Sequence, residues 1–114
     1  MQTEQFNNVV AERLNNVKST LIAKADEYAR GDRLSNFKKI AGLNDCAPEK
    51  ALWILVNKHI VALNDFINDL EKDVHQPYSR WDEKIGDIMA YMALLDAMII
   101  ERTDKEIKKE TYAH

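Results

Sequence analysis

The sequence predicts an all-α protein: an antiparallel helical bundle of three long helices and one short helix, folded as a single domain over residues 1–114. Three observations carry this. Only 3 Gly and 2 Pro occur in 114 residues, too few for a turn-rich β fold. Apolar residues recur at helical 3–4 spacing through long stretches. The breaks between stretches are short and hold the turn residues Gly31, Gly42, Pro48 and Pro77. At 46% hydrophobic and 31% charged, the composition is globular, and the length suffices for one core.

The first helix is expected from about Thr3 to Ala29. Its apolar positions are Phe6, Val9, Val10, Leu14, Val17, Leu21, Ala25 and Tyr28. Thr3 suits the N-cap, and Gly31 suits a left-handed stop. A short helix follows over Leu34 to Ala41, burying Phe37 and Ile40. Pro48 opens the third helix at a first-turn position, where its missing N–H costs nothing. That helix runs to about Lys72, with Leu52, Val56, His59, Leu63, Phe66 and Leu70 in a 4-3-4-3-4 heptad seam. Asp73 to Arg80 forms the turn. The fourth helix spans Trp81 to about Lys108, with the seam Trp81, Ile85, Ile88, Met92, Leu95 and Ile99 and a frayed tail after Lys109. Long helices with short connections pack as antiparallel neighbours.

Composition narrows the function. A net charge of -3 gives no strong nucleic-acid signal, apart from a local basic patch at Arg30, Arg33, Lys38 and Lys39. The lone Cys46 has no internal disulfide partner, which fits a reducing cytoplasm. Met1 to Asn8 lacks an apolar signal-peptide core, and the longest charge-free run, Ile88 to Leu95, is too short to span a membrane. The fourth helix is apolar around much of its circumference, so a homo-oligomer through that helix is expected.

Three groups of polar residues can carry chemistry. Glu83 and Asp87 lie one turn apart and lead into Tyr91, Leu94 and Met98, a face expected to be buried. If helices three and four form a hairpin centred near Gln76-Pro77, Asp87 lies level with Phe66. Asp65, Asp69, Glu83 and Asp87 would then meet, and carboxylates on facing helices can hold Mg²⁺. Against this stands the plainer reading of surface acids paired with lysines. His59, next to Lys58, occupies a seam position: it is either a hydrogen-bonded core residue, with Asp96 as candidate partner, or a ligand contact. Last, Tyr28, Arg33, Asn36, Phe37 and the nearby lysines combine aromatics, bases and an amide at a helix start. That set suits an anion and a base, although Phe37 can equally be core and Asn36 or Ser35 a cap. No P-loop, G-x-G-x-x-G, G-x-S-x-G or zinc-type Cys/His spacing occurs.

Taken together, Tyr28…Asp32, Ser35-Asn36-Phe37, Pro48-Glu49-Lys50-Ala51, Lys58-His59 and Glu83-Lys84-Ile85-Gly86-Asp87 with Tyr91 and Leu94-Leu95 resemble a phage and prophage family, the nucleotide modification associated domain 1 group. The resemblance covers roughly Ala23 to Met98. The Glu83–Asp87 motif is also similar to the last metal-binding helix of the MazG-like all-α nucleotide pyrophosphohydrolases. There an E-x-x-D pair is often preceded by another Glu; Glu83 and Asp87 match the outer acids of that longer motif, Lys84 replaces the inner Glu, and no upstream E-x-x-E occurs. These resemblances imply a nucleotide-associated protein in a bacterial cytoplasm. Three readings stay open: a Mg²⁺-dependent nucleotide (pyro)phosphohydrolase, a non-catalytic nucleotide binder, and a bundle that binds another protein.

Overall fold

A computed structural model describes the backbone of residues 1–28 and 31–113, and the side chains of residues 1–23 and 31–104. The described chain is all-α: α1 (Thr3–Tyr28), α2 (Ser35–Leu43), α3 (Pro48–Glu71) and α4 (Tyr78–Ala113). These are the three long helices and one short helix that the periodicity predicts. α4 starts three residues earlier than expected, directly after Pro77, and its first turn closes with Arg80 N–H donating to the Pro77 carbonyl (3.0 Å). It continues to Ala113 through a stretch of good helix formers, rather than ending near Lys108.

The connections follow from local chemistry. Gly31 has φ +95°, the left-handed conformation expected of it. Asp32 then turns the chain into α2: its Oδ1 accepts from Leu34 N–H (2.9 Å), and its other oxygen pairs with Lys38. Neither Ser35 nor Asn36 caps α2; its N-cap is the buried Leu34, with no side-chain cap bond. Asp45 and Asp73 take positive φ just past α2 and α3. Cys46 N–H reaches Ala41 O and Val74 N–H reaches Asp69 O, which closes both helix ends with Schellman-type bonds.

α3 and α4 form the central hairpin, α2 packs on α3, and α1 packs on α4. Arg13 of α1 meets Asp82, and Leu21 lies beside Asp87 and Ala90, so α1 and α4 run in the same sense. Gly86 makes room for this contact: a Cβ there would stand 3.3 Å from an Arg13 guanidinium nitrogen.

The core is small and lies at the α2 end of the hairpin. Leu34, Leu52, Val56 and Met98 are buried together, flanked by Phe37, Tyr91, Leu94 and Leu95. Nearer the hairpin turn, Phe66 packs edge-on against Trp81 (5.3 Å between centroids), with the Arg80 guanidinium 5.4 Å from the Phe66 ring. The α3 seam is therefore used largely as predicted. The α4 seam is used in part: Trp81 and Leu95 make contacts, but Tyr91, Leu94 and the buried Met98 also face the core, while Met92 and Ile99 are exposed. A strict heptad drifts about 20° per repeat around a straight helix, so the end of the Trp81–Ile99 stripe rotates off the contact.

Two ion pairs tie α4 to the start of the core. Lys38 bridges Asp32 and Glu101 (2.7 Å to Glu101), and Arg102 makes a two-oxygen contact with Glu49 (2.7 and 2.9 Å). The Arg102 hydrogen bond holds the Glu49 carboxyl below the usual carboxylate range. A carboxyl so lowered stabilises the fold above its unfolded pKa and loses that contribution as pH falls through the folded value. A double-mutant cycle of Glu49→Gln and Arg102→Ala is expected to give coupling of no more than about 1 kcal/mol at pH 7, because Arg102 is half-exposed and solvent screens the pair. The coupling should vanish in urea titrations at pH 2.

Candidate functional site

Below the core, all four helices contribute to one cavity of about 370 Å³. α3 contributes His59 and Leu55, and α4 contributes Asp87, Ala90, Tyr91 and Leu94. Asn36, Phe37 and Ile40 come from α2, Leu21 from α1, and Arg33 from the connection before α2. The volume falls in the small-molecule range, and the lining matches the usual recipe: apolar and aromatic walls with a few convergent polar groups.

Helix geometry explains the convergence. Leu55 and His59 are one turn apart on α3, and Asp87, Tyr91 and Leu94 share one face of α4. α2 lies across this end of α3 and presents Asn36 and Phe37 to the opening. Arg33 is fixed by a hydrogen bond from its guanidinium to the Leu21 carbonyl (3.1 Å), which joins the wall of α1 to the connection.

His59 lies at the centre. Its ring sits 5.5 Å from that of Tyr91, tilted by 42°. Its Nδ1 is 3.7 Å from Asp87 Oδ2, near enough for an ion pair when His59 is protonated but too long for a hydrogen bond. The side chains are 17% and 32% exposed. Nδ1 is buried yet has no hydrogen-bond partner among the described residues. Leaving such an atom unsatisfied costs about 1–3 kcal/mol, and a ligand that bonds it recovers this cost.

Of the six residues expected to bind a nucleotide, four line the cavity: Arg33, Asn36, Phe37 and His59. Lys58 is exposed and does not line it. The Tyr28 side chain, like Arg30 of the expected basic patch, lies outside the described residues. The partner of His59 is Asp87 rather than the exposed Asp96. The hairpin turns around Val74–His75, between the end of α3 and the start of α4, rather than around Gln76-Pro77. The side-chain contacts set Asp87 beside His59 and Trp81 beside Phe66, a register centred near Asp73.

The four acids that were candidates for Mg²⁺ have different surroundings. Asp87 faces His59, Glu83 lies 3.9 Å from Lys84 Nζ, Asp65 is exposed, and Asp69 is half-buried. No three His, Cys, Asp or Glu side chains among the described residues gather as an ion would need. Glu83, Asp87 and Asp82 do line a smaller cleft of about 180 Å³, but Arg13 lies in it, paired with Asp82 (2.5 Å). A third cavity, about 290 Å³, holds the cations Lys38 and Arg102, each already paired with a carboxylate.

Tyr91 is the functional residue that sequence reasoning left out of the site. Its signal is its position one turn beyond Asp87 on the same face, opposite a seam histidine. Ala90, Leu21 and Leu55 carry no such signal, because nothing in their type separates a cavity wall from a core. None of the described helices is long and apolar enough to cross a membrane. Searches of protein-family models, curated proteins and solved structures find no match to this chain.

Proposed function

We propose that the chain is a non-catalytic nucleotide-binding protein and that the His59–Asp87 cavity receives the base and sugar of the nucleotide. The observation that carries this reading is a cavity in which His59, whose buried Nδ1 has no hydrogen-bond partner among the described residues, shares the lining with Asp87, Asn36, Arg33, Phe37 and Tyr91. A base is flat, apolar on its faces and polar on its edge. Phe37 and Tyr91 offer rings to its face. Asn36 offers a donor and an acceptor to its edge, and the Asp87 carboxylate accepts from an N–H of the base. The phage and prophage resemblance points to the same ligand class.

The absence of turnover is part of the proposal. Glu83 and Asp87, the acids that match the phosphohydrolase motif, lie beside Lys84 (3.9 Å) and His59 (3.7 Å), and the proposal includes no hydrolytic step. The test is a thermal-shift panel of linear and cyclic nucleotides, followed by chromatographic recovery of the ligand. At least one nucleotide should raise the melting temperature by several degrees, since a ligand at 100 times its Kd contributes about 2.7 kcal/mol. It should be recovered intact, and His59→Ala should remove the shift. Silence across the panel, or release of phosphate or pyrophosphate, would contradict the proposal.

A further inference from the structure

The chain exposes too much surface for a monomer of its size. Its accessible area is 8734 Å² at 13.2 kDa, where a compact monomer of that mass exposes about 6,400 Å². The excess, about 2,300 Å², exceeds the roughly 800 Å² that each partner buries in an ordinary stable interface. The radius of gyration agrees: 17.8 Å against about 13 Å for a compact chain of this length.

The outer face of α3, turned away from the core, is built to match itself. Trp53, Ile60 and Ile67 recur every seven residues along one edge, and Ile54 and Val61 along the other. All five are large apolar side chains between 42% and 59% exposed. Between the two edges run Asn57 and Asn64, again seven apart, with Lys50 at the start of the face and Glu71 at its end. This is a heptad surface interrupted at regular intervals by amides, the device by which paired helices fix their register.

We infer that a second copy of this chain covers this face, the two α3 helices packing antiparallel about a two-fold axis between Ile60 and Val61. One register matches most of these positions, although it sets Trp53 level with Asn68. Ile60 lies opposite Val61 of the other copy, Ile54 opposite Ile67, Asn57 opposite Asn64, and Lys50 opposite Glu71. The antiparallel sense also opposes the two helix dipoles. The surface is isologous, so the contact closes at two copies. It differs from the expected interface through α4, which packs against both α3 and α1.

Light scattering coupled to gel filtration tests the mass, and cysteine pairing tests the register. The wild type should run as two chains or a multiple of two. Ile60→Lys, at a site already half-exposed, should weaken association by about 100-fold or more while the circular dichroism stays helical. In a Cys46→Ser background, Asn57→Cys combined with Asn64→Cys should cross-link two chains on oxidation, and neither substitution alone should do so. The two sites are about 10 Å apart along one helix, too far for a bridge within a chain. A one-chain mass for the wild type, an unchanged mass for Ile60→Lys, or cross-linking by a single substitution as efficient as by the pair would each overturn the inference. Should Ile60→Lys fail to fold, Val61→Lys and the cysteine pair decide it.

Discussion

Leu52→Ala is expected to lower the unfolding free energy by about 3–5 kcal/mol, the upper part of the range for buried leucines. Leu52 is 0% exposed and packs among Leu34, Val56 and Met98, so it joins α2, α3 and α4 at one point. The loss combines the transfer energy of the removed methyl groups with that of the cavity left behind. Collapse into that cavity is limited, because the Lys38 bridge to Asp32 and Glu101 and the Arg102–Glu49 pair hold the surrounding elements in place. Leu52 and Val56 are the largest fully buried side chains, so the loss is large relative to the whole core. Urea unfolding measures it: the midpoint should fall with an unchanged slope. Leu43→Ala, 86% exposed on α2, should stay within about 0.5 kcal/mol of wild type.

Asp87→Asn is expected to weaken nucleotide binding by 10- to 100-fold without changing the fold. The substitution keeps the side-chain shape and removes the charge. A hydrogen bond to a charged group contributes about 1.5–3 kcal/mol, which corresponds to that loss of affinity. Asp87 is only partly buried, so the apo protein should unfold within about 1 kcal/mol of wild type. Isothermal titration with the nucleotide selected from the panel measures the effect. Lys58→Ala, outside the cavity, should change the affinity by less than about twofold, within what a distant surface charge contributes. Equal losses at positions 58 and 87 would mean that binding is electrostatic and not centred on the cavity.

Much of this was legible in the residues. The α3 seam, the Gly31 stop and the Pro48 start follow from spacing and backbone chemistry and reappear in place. So does the grouping of Arg33, Asn36 and Phe37 with His59. Asn36, Phe37 and His59 are polar or aromatic residues on helices that line the cavity, and Arg33 lies in the connection beside them. The hairpin register was not legible. It depends on how residues 72–77 spend their length, and Asp73 takes a left-handed conformation that its identity alone does not require. A shift of two turns exchanged Phe66 for His59 as the neighbour of Asp87. The α4 stripe held only in part, for a related reason. A run apolar on nearly every side fits several contact faces, and the neighbours, rather than the period, select among them.

A crystal structure soaked with the selected nucleotide, with and without Mg²⁺, tests the central claim most directly. The account predicts the base between Phe37 and Tyr91, within hydrogen-bond distance of Asn36 and Asp87, with His59 Nδ1 bonded to the ligand and the nucleotide intact in both crystals. A nucleotide lying outside this cavity, an unbonded His59 Nδ1 beside bound ligand, or an ion held by Glu83 and Asp87 with cleaved product would contradict it.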